Sequence, residues 1–342
     1  MALQTTWFFL WGLIWALFFI TGGYDLGIGS LYPFLGKTDL DKRTIINAKG
    51  PLWDGNQVWL LTAGGVTFAA FPQVYATMFS TLYAALMLIL FALIIRGVSF
   101  EFRHLLEDPR WTKVWDTCIF IGSIAPAILF GVAFANIFQG IPFDQKGIYQ
   151  GTLFTLLNPY GLLGGVLFLL LFMQHGALWL AIRTTGDLQD RAVGTAKILW
   201  PVLLAVAVIF LIASWFATNL YDNYIAHPAF FLVIVLAVVG LLGARLFMGK
   251  QTYFKAWFAS ALTIIGCTFF GVVGLFPNLF PSSANPSFNL TAFNASSSPV
   301  TLKIMLIVAV SYTHLTLPTT DVGCGCGGGG GGWGGGGGGG GG

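Results

Sequence analysis

Very few ionisable side chains stand inside the apolar stretches of this 342-residue chain, and those few define the chemistry it can do. A charge in a hydrocarbon medium is costly, so each is a functional candidate until a partner accounts for it. Asp25 lies within Gly23-Tyr24-Asp25-Leu26-Gly27-Ile28-Gly29. Its carboxylate can take up and return a proton, while the spaced glycines permit close helix approach. An interfacial or capping carboxylate is the plainer reading. Trp53-Asp54-Gly55-Asn56-Gln57-Val58-Trp59 gathers a carboxylate, two amides and two indoles into seven residues. Asp54 suits a helix N-terminus. Asn56 and Gln57 fall in the first turns of a lipid-embedded helix, where unpaired polar groups are costly. A hydrogen-bonded path entering from the cytoplasm at Asp54 would satisfy all three, and both readings stay open.

Arg96 ends an apolar segment and is followed by Glu101, Arg103 and His104. It either pairs with Asp25 or Asp54 across a bundle or sits at a solvated helix end, the commoner arrangement. Gln174-His175-Gly176 holds the only histidine inside an expected span. That imidazole could ligate haem or relay protons; more commonly such a residue hydrogen-bonds a neighbouring helix. Haem iron usually takes His with His or Met, so one membrane histidine cannot hold several haems. His175 is a weak metal candidate and no other is expected. The sequence shows no Cys/His cluster, Walker-type loop or Ser-His-Asp set that would seat an independent enzyme.

The elements that must position these residues are membrane helices. The chain is 56% hydrophobic and 8% charged, with mean hydropathy +0.80, against about 25% charge in a soluble domain. Segments 7–28, 54–72, 76–96, 116–138, 157–181, 198–217, 228–248 and 256–276 are each apolar enough to form a span, given a need for about 20 residues. A ninth segment shows only an apolar run from Val300 to Val310 and looks cut off. Lys and Arg favour cytoplasmic loops, and 14 of the 16 follow the first, third, fifth and seventh segments. The N-terminus is therefore expected outside. Net charge is +3 with no basic stripe, which leaves nucleic-acid binding without support. The first segment runs on into the Asp25 motif, so no cleavable signal peptide is expected. Cys118 and Cys267 lie in apolar stretches, where cysteine behaves as a small hydrophobe.

Charge-rich loops divide the sequence into residues 1–140, helices one to four, and 141–280, helices five to eight. Residues 281–310 form an outer loop and the start of the ninth helix. The tail 311–342, with Cys324 and Cys326 in a glycine run, reads as artefactual or disordered.

The Asp25 motif, Trp53 to Trp59, Ile121-Gly122-Ser123 and Gly131-Val132-Ala133-Phe134-Ala135-Asn136 resemble subunit II of the cytochrome bd quinol oxidases. So do Gln139-Gly140-Ile141-Pro142-Phe143, Leu157 to Leu162, and Phe276-Pro277 to Ser283, covering residues 1 to 310. The resemblance implies an all-α polytopic membrane protein of about nine helices, two four-helix bundles plus one peripheral helix. It also implies a bacterial inner-membrane location and pairing with a subunit I that holds two haems b and haem d. That partner oxidises quinol and reduces O2 to water, and small accessory subunits can join. The present chain would support assembly and provide access. By resemblance, Asp54, Asn56, Gln57 and Asp25 match a proton path, Trp59 an oxygen entry, and Arg96 and Glu101 an intersubunit charge cluster. A secondary transporter is the alternative, although such proteins place substrate sites on broken helices near mid-membrane, whereas the polar motif here lies at one face.

Overall fold

A computed structural model of the chain describes residues 1–50 and 52–308; the glycine-rich tail, with Cys324 and Cys326, lies outside the described residues. Helix α1 (Ala2–Leu35) runs for 34 residues, about 51 Å at the helical rise. After it, Thr38 caps α2 (Asp39–Lys49): its hydroxyl accepts from the Asp41 N–H while the Asp41 carboxylate reaches back to the Thr38 N–H. This box starts a short helix that buries Ile45, Ile46, Ala48 and Lys49.

Helix α3 (Trp53–Ala70) stops where Pro72 follows, because the residue before a proline is pushed out of the α region; Phe71 adopts φ −135°, ψ 65°. Two helices therefore replace the single segment expected at 76–96: α4 (Pro72–Thr81) and α5 (Tyr83–Phe102), which meet at Leu82. Helix α6 (Pro109–Gln139) opens on the Asp108 carboxylate, which accepts from the Arg110 N–H. It closes at Gly140, whose φ of +89° is left-handed and suits glycine. The chain continues through α7 (Leu153–Leu156), α8 (Pro159–Arg183), α9 (Asp187–Ala217), α10 (Tyr221–Ala226), α11 (Phe231–Gly249) and α12 (Tyr253–Leu275). Strands β1 (Asn278–Phe280) and β2 (Leu290–Thr291) pair antiparallel in the loop beyond.

Seven helices among the described residues are long and apolar enough to cross a bilayer: α1, α5, α6, α8, α9, α12 and the stretch Pro228–Gly249 that contains α11. This is a multi-pass all-α membrane protein. The remaining expected span, 54–72, corresponds to α3, whose 18 residues reach about 27 Å. Residues 1–297 form one compact unit and a second begins at Ser298. In the second, Pro299–Val308 is a short apolar helix.

Helix α1 is the axis of the first unit, packing against α3, α6, α8 and α12. Small residues allow this. A Cβ on Gly27 would lie 1.8 Å from the Phe172 carbonyl oxygen, and one on Gly176 would lie 2.6 Å from the Ile28 nitrogen. Helices α1 and α8 thus touch backbone to backbone, the close approach that glycine permits in membranes.

Candidate functional site

Asp25 sits well inside α1, which continues ten residues past it, and its side chain is 0% exposed. A dry carboxylate needs a cation, and α5 supplies one in Arg96, 1% exposed, whose guanidinium is ion-paired with Asp25. The expectation of a solvated end at Arg96 is overturned, because α5 runs on to Phe102. Arg96 Nε donates to Ser123 Oγ on α6 at 3.0 Å, and Ser123 Oγ donates to the Ile119 carbonyl at 2.7 Å. Gly122 makes room: a Cβ there would lie 2.6 Å from Arg96 Cβ.

A second cation comes from α2. Lys49 is 1% exposed, with Nζ 3.5 Å from Asp25 Oδ1 and 3.9 Å from the Phe100 ring centroid. Burial, and then the positive charge of Arg96, push this ammonium down to about 7 against the opposing pull of Asp25. Neither Lys49 Nζ nor either Asp25 oxygen makes a well-directed hydrogen bond. Lys49 also lines a cavity of about 180 Å³ with Asn47, Gly50, Trp53, Glu101 and His104. Glu101 is exposed, and the His104 imidazole is held below its ordinary value by partial burial and by neighbouring Arg103 and Arg43.

The tryptophan-flanked motif opens α3. Asp54 is exposed in the first turn, and the cap position is Leu52, without a side-chain cap bond. Asn56, 7% exposed, donates through Nδ2 to the Tyr24 hydroxyl at 3.0 Å, which ties the motif to the residue preceding Asp25. Gln57 is half-buried, and Trp59 is 37% exposed. The outward face of α3 also carries Val58, Leu61 and Phe68, and Cβ atoms on Gly55, Gly64 and Gly65 would meet nothing within 4 Å among the described residues. The structure therefore joins Asp25 to Arg96 and Asn56 to Tyr24, and leaves Asp54, Trp59 and Glu101 on the surface of the single chain.

His175 is buried on α8, with Nδ1 3.1 Å from Ser260 Oγ on α12 and its ring stacked on Trp257 at 4.9 Å. The Ile20 carbonyl is its other polar neighbour. It links helices. Gly176 beside it is already in backbone contact with α1, and His175 does not line the cavity beside Lys49. A haem does not fit at this histidine. No group of three or more His, Cys, Asp or Glu among the described residues is arranged for a metal ion.

A separate polar network pins α2 across neighbouring helix ends. Asp116 accepts from Tyr32 Oη at 2.5 Å, Lys42 Nζ at 2.8 Å and Arg103 Nε at 2.6 Å. Arg103 also donates to Asp39 at 2.7 Å, and Arg191 pairs with Asp41 at 2.8 Å. Sequence reasoning missed Lys49 and Asp116. Lys49 reads as one more basic residue in a cytoplasmic loop, and Asp116 opens an apolar segment. The available signal was the apolar flank Ile45-Ile46 on the same short helix as Lys49.

A family model described as cytochrome bd terminal oxidase subunit II matches residues 3–322. The probable cytochrome oxidase subunit 2 of Haemophilus influenzae is 38% identical, covering 91% of each chain. The cytochrome bd ubiquinol oxidase subunit 2 of Bacillus subtilis is 37% identical, again over 91% of each. The cytochrome bd-I ubiquinol oxidase subunit 2 of Escherichia coli K12 is 37% identical over 90% of this chain and 89% of that one. In three dimensions, a chain of the bd oxidase from Geobacillus thermodenitrificans superposes with a TM-score of 0.75 at 15% identity, covering 94% of this chain and 97% of that one. With a buried carboxylate–arginine pair inside a helical membrane bundle of this shape, the chain belongs to the cytochrome bd terminal oxidase subunit II family.

Proposed function

We propose that this chain is the haem-poor second subunit of a terminal oxidase that oxidises quinol and reduces O2 to water, and that it admits cytoplasmic protons toward the reaction site of its partner. The observation that carries the reading is the fully buried Asp25–Arg96 pair, which lies within reach of a polar cavity at the end of α2. Partner and haems follow from the family. Subunit I would hold two haems b and haem d, in keeping with the closed packing around His175. Small accessory subunits would join the same complex.

The complex would lie in the bacterial inner membrane with the N-terminus outside, which puts α2, Glu101 and His104 on the cytoplasmic side. Residues 1–140 and 141–280 would form the two four-helix bundles. Protons would enter near Asp54 and Glu101 and pass the amides of Asn56 and Gln57 toward Asp25, which is paired with Arg96. Drawing the protons of water formation from the inside makes turnover electrogenic without a pump. Dioxygen is apolar and concentrates in lipid, so the exposed indole of Trp59 on α3 suits a lateral entry. Transport of a solute has no support from the relatives.

Oxygen consumption with reduced quinol tests this in the co-expressed complex. Asp54→Asn is expected to lower turnover roughly a hundredfold, within the range for loss of a proton-transfer group, with all haem bands retained. Undiminished turnover would show that Asp54 lies off the route.

A further inference from the structure

We infer that Lys49 is the proton-exchanging group between the cytoplasmic cavity and the Asp25 carboxylate, taking each proton from the cavity water and delivering it across to Asp25. This rests on the reading of the chain as a proton entrance. Three observations carry it. The first is position: Lys49 ends α2, lines the cavity shared with Glu101 and His104, and places Nζ 3.5 Å from Asp25 Oδ1. Among the described residues it is the one side chain that both lines that cavity and pairs with the buried carboxylate.

The second is charge. The groups facing Lys49 are Asp25 from α1, Arg96 from α5 and, across the cavity, Glu101 and His104; Trp53 is the contribution of α3. Arg96 already neutralises Asp25, so an ammonium on Lys49 leaves the dry cluster with one excess positive charge. An arginine stays protonated in such a site, whereas a buried lysine readily gives up its proton. The excess is therefore relieved at Lys49, and burial brings its titration to about pH 7.

The third is the looseness of its bonding. Nζ has no aligned acceptor and rests against the Phe100 ring at 3.9 Å, which steadies the cation without fixing a proton in a hydrogen bond. In the transfer, an N–H bond of the Lys49 ammonium breaks and its electron pair stays on nitrogen. An O–H bond forms on Asp25, which then passes its proton onward toward the partner subunit, and the neutral amine takes a proton from a hydronium ion in the cavity, leaving water. Nothing is oxidised or reduced.

The test uses the two-subunit complex, with oxygen consumption followed from pH 6 to pH 9 and haem spectra recorded throughout. In the wild type, turnover should fall as pH rises through about 7, because the protonated lysine is the donor. Lys49→Met and Lys49→Arg should each lower turnover roughly tenfold at pH 6 and erase that fall, with quinol KM unchanged. Arginine keeps the charge but does not release a proton near neutrality, so a purely structural counter-ion would be rescued by Lys49→Arg. Wild-type turnover and pH profile in Lys49→Arg would overturn the proposal.

Asp25→Asn separates the two levels. If it stops turnover while both Lys49 variants run normally, the Asp25 entrance stands and Lys49 is not part of it; if all three run normally, the entrance itself is wrong and the Lys49 step falls with it. Should the Lys49 variants fail to assemble, carbon-13 NMR of lysine-labelled wild-type complex decides. A lysine titrating near pH 7 is expected, and the absence of any lysine titrating below about pH 9 would overturn the proposal.

Discussion

At the scale of single residues, the site is a balance between one buried anion and two buried cations. Removing Arg96 should be severe, since breaking a buried pair leaves an uncompensated charge costing about 3–5 kcal/mol. Arg96→Gln is expected to reduce the yield of haem-loaded complex on purification, and Arg96→Lys to recover only part of it, because lysine cannot hold Asp25 and Ser123 together. Lys49 makes a different mark on stability. Its folded form is held at about 7 against an ordinary 10.5, so between these values the unfolded chain binds more protons and stability rises with pH. Below pH 7 both states are protonated and the penalty for the buried ammonium is complete. The Tm advantage of Lys49→Met over the wild type should therefore shrink as pH rises from about 7 toward 10.5, as thermal unfolding in detergent would show. The buried Asp25 and Asn56 stood out in sequence because ionisable and amide groups are conspicuous among apolar neighbours. Lys49 did not, because a lysine after an apolar segment looks like any loop charge until a helix cap at Thr38 turns it inward.

At the scale of elements, hydropathy located the seven long apolar helices because lipid exposure and burial both demand apolar residues. It could not resolve α3 from α4, since Pro72 breaks the helix by backbone sterics rather than polarity, nor could it see α2, whose 11 residues are mixed in character. What holds α2 in place is the carboxylate of Asp116, with Tyr32, Lys42 and Arg103 all donating to it. Asp116→Asn should cost about 1.5–3 kcal/mol, the range for losing hydrogen bonds to a charged acceptor, since Arg103 keeps its pair with Asp39, and should make the Lys49 end of α2 exchange amide hydrogens faster. The α1–α8 contact is stricter. Gly27→Ala would drive a methyl into the Phe172 carbonyl oxygen, so neither membrane-inserted chain nor haem spectrum is expected from that variant. Glycine spacing announced a close approach in this region, but not that α8 would be the partner.

At the scale of the whole molecule, α3 stands apart. It packs on α1 and α4 and turns Val58, Leu61, Phe68 and three glycines outward. A Cβ on Gly65 would meet nothing within 4 Å among the described residues, so Gly65→Ala should leave this subunit folded. If the face lies against subunit I, co-purification of the haem-bearing partner should fall; normal pairing would assign the face to lipid. The lengths of α1 and α3 carry a further consequence. One helix reaches about 51 Å and its neighbour about 27 Å, against a hydrocarbon core of about 30 Å. If α3 faces lipid, that lipid must dip to meet a short helix, and such mismatch thins a bilayer locally. The oxidase would then carry its own dimple in the membrane, next to Trp59 and Asp54. Reconstitution into bilayers of longer-chain lipids should slow turnover more than it weakens assembly.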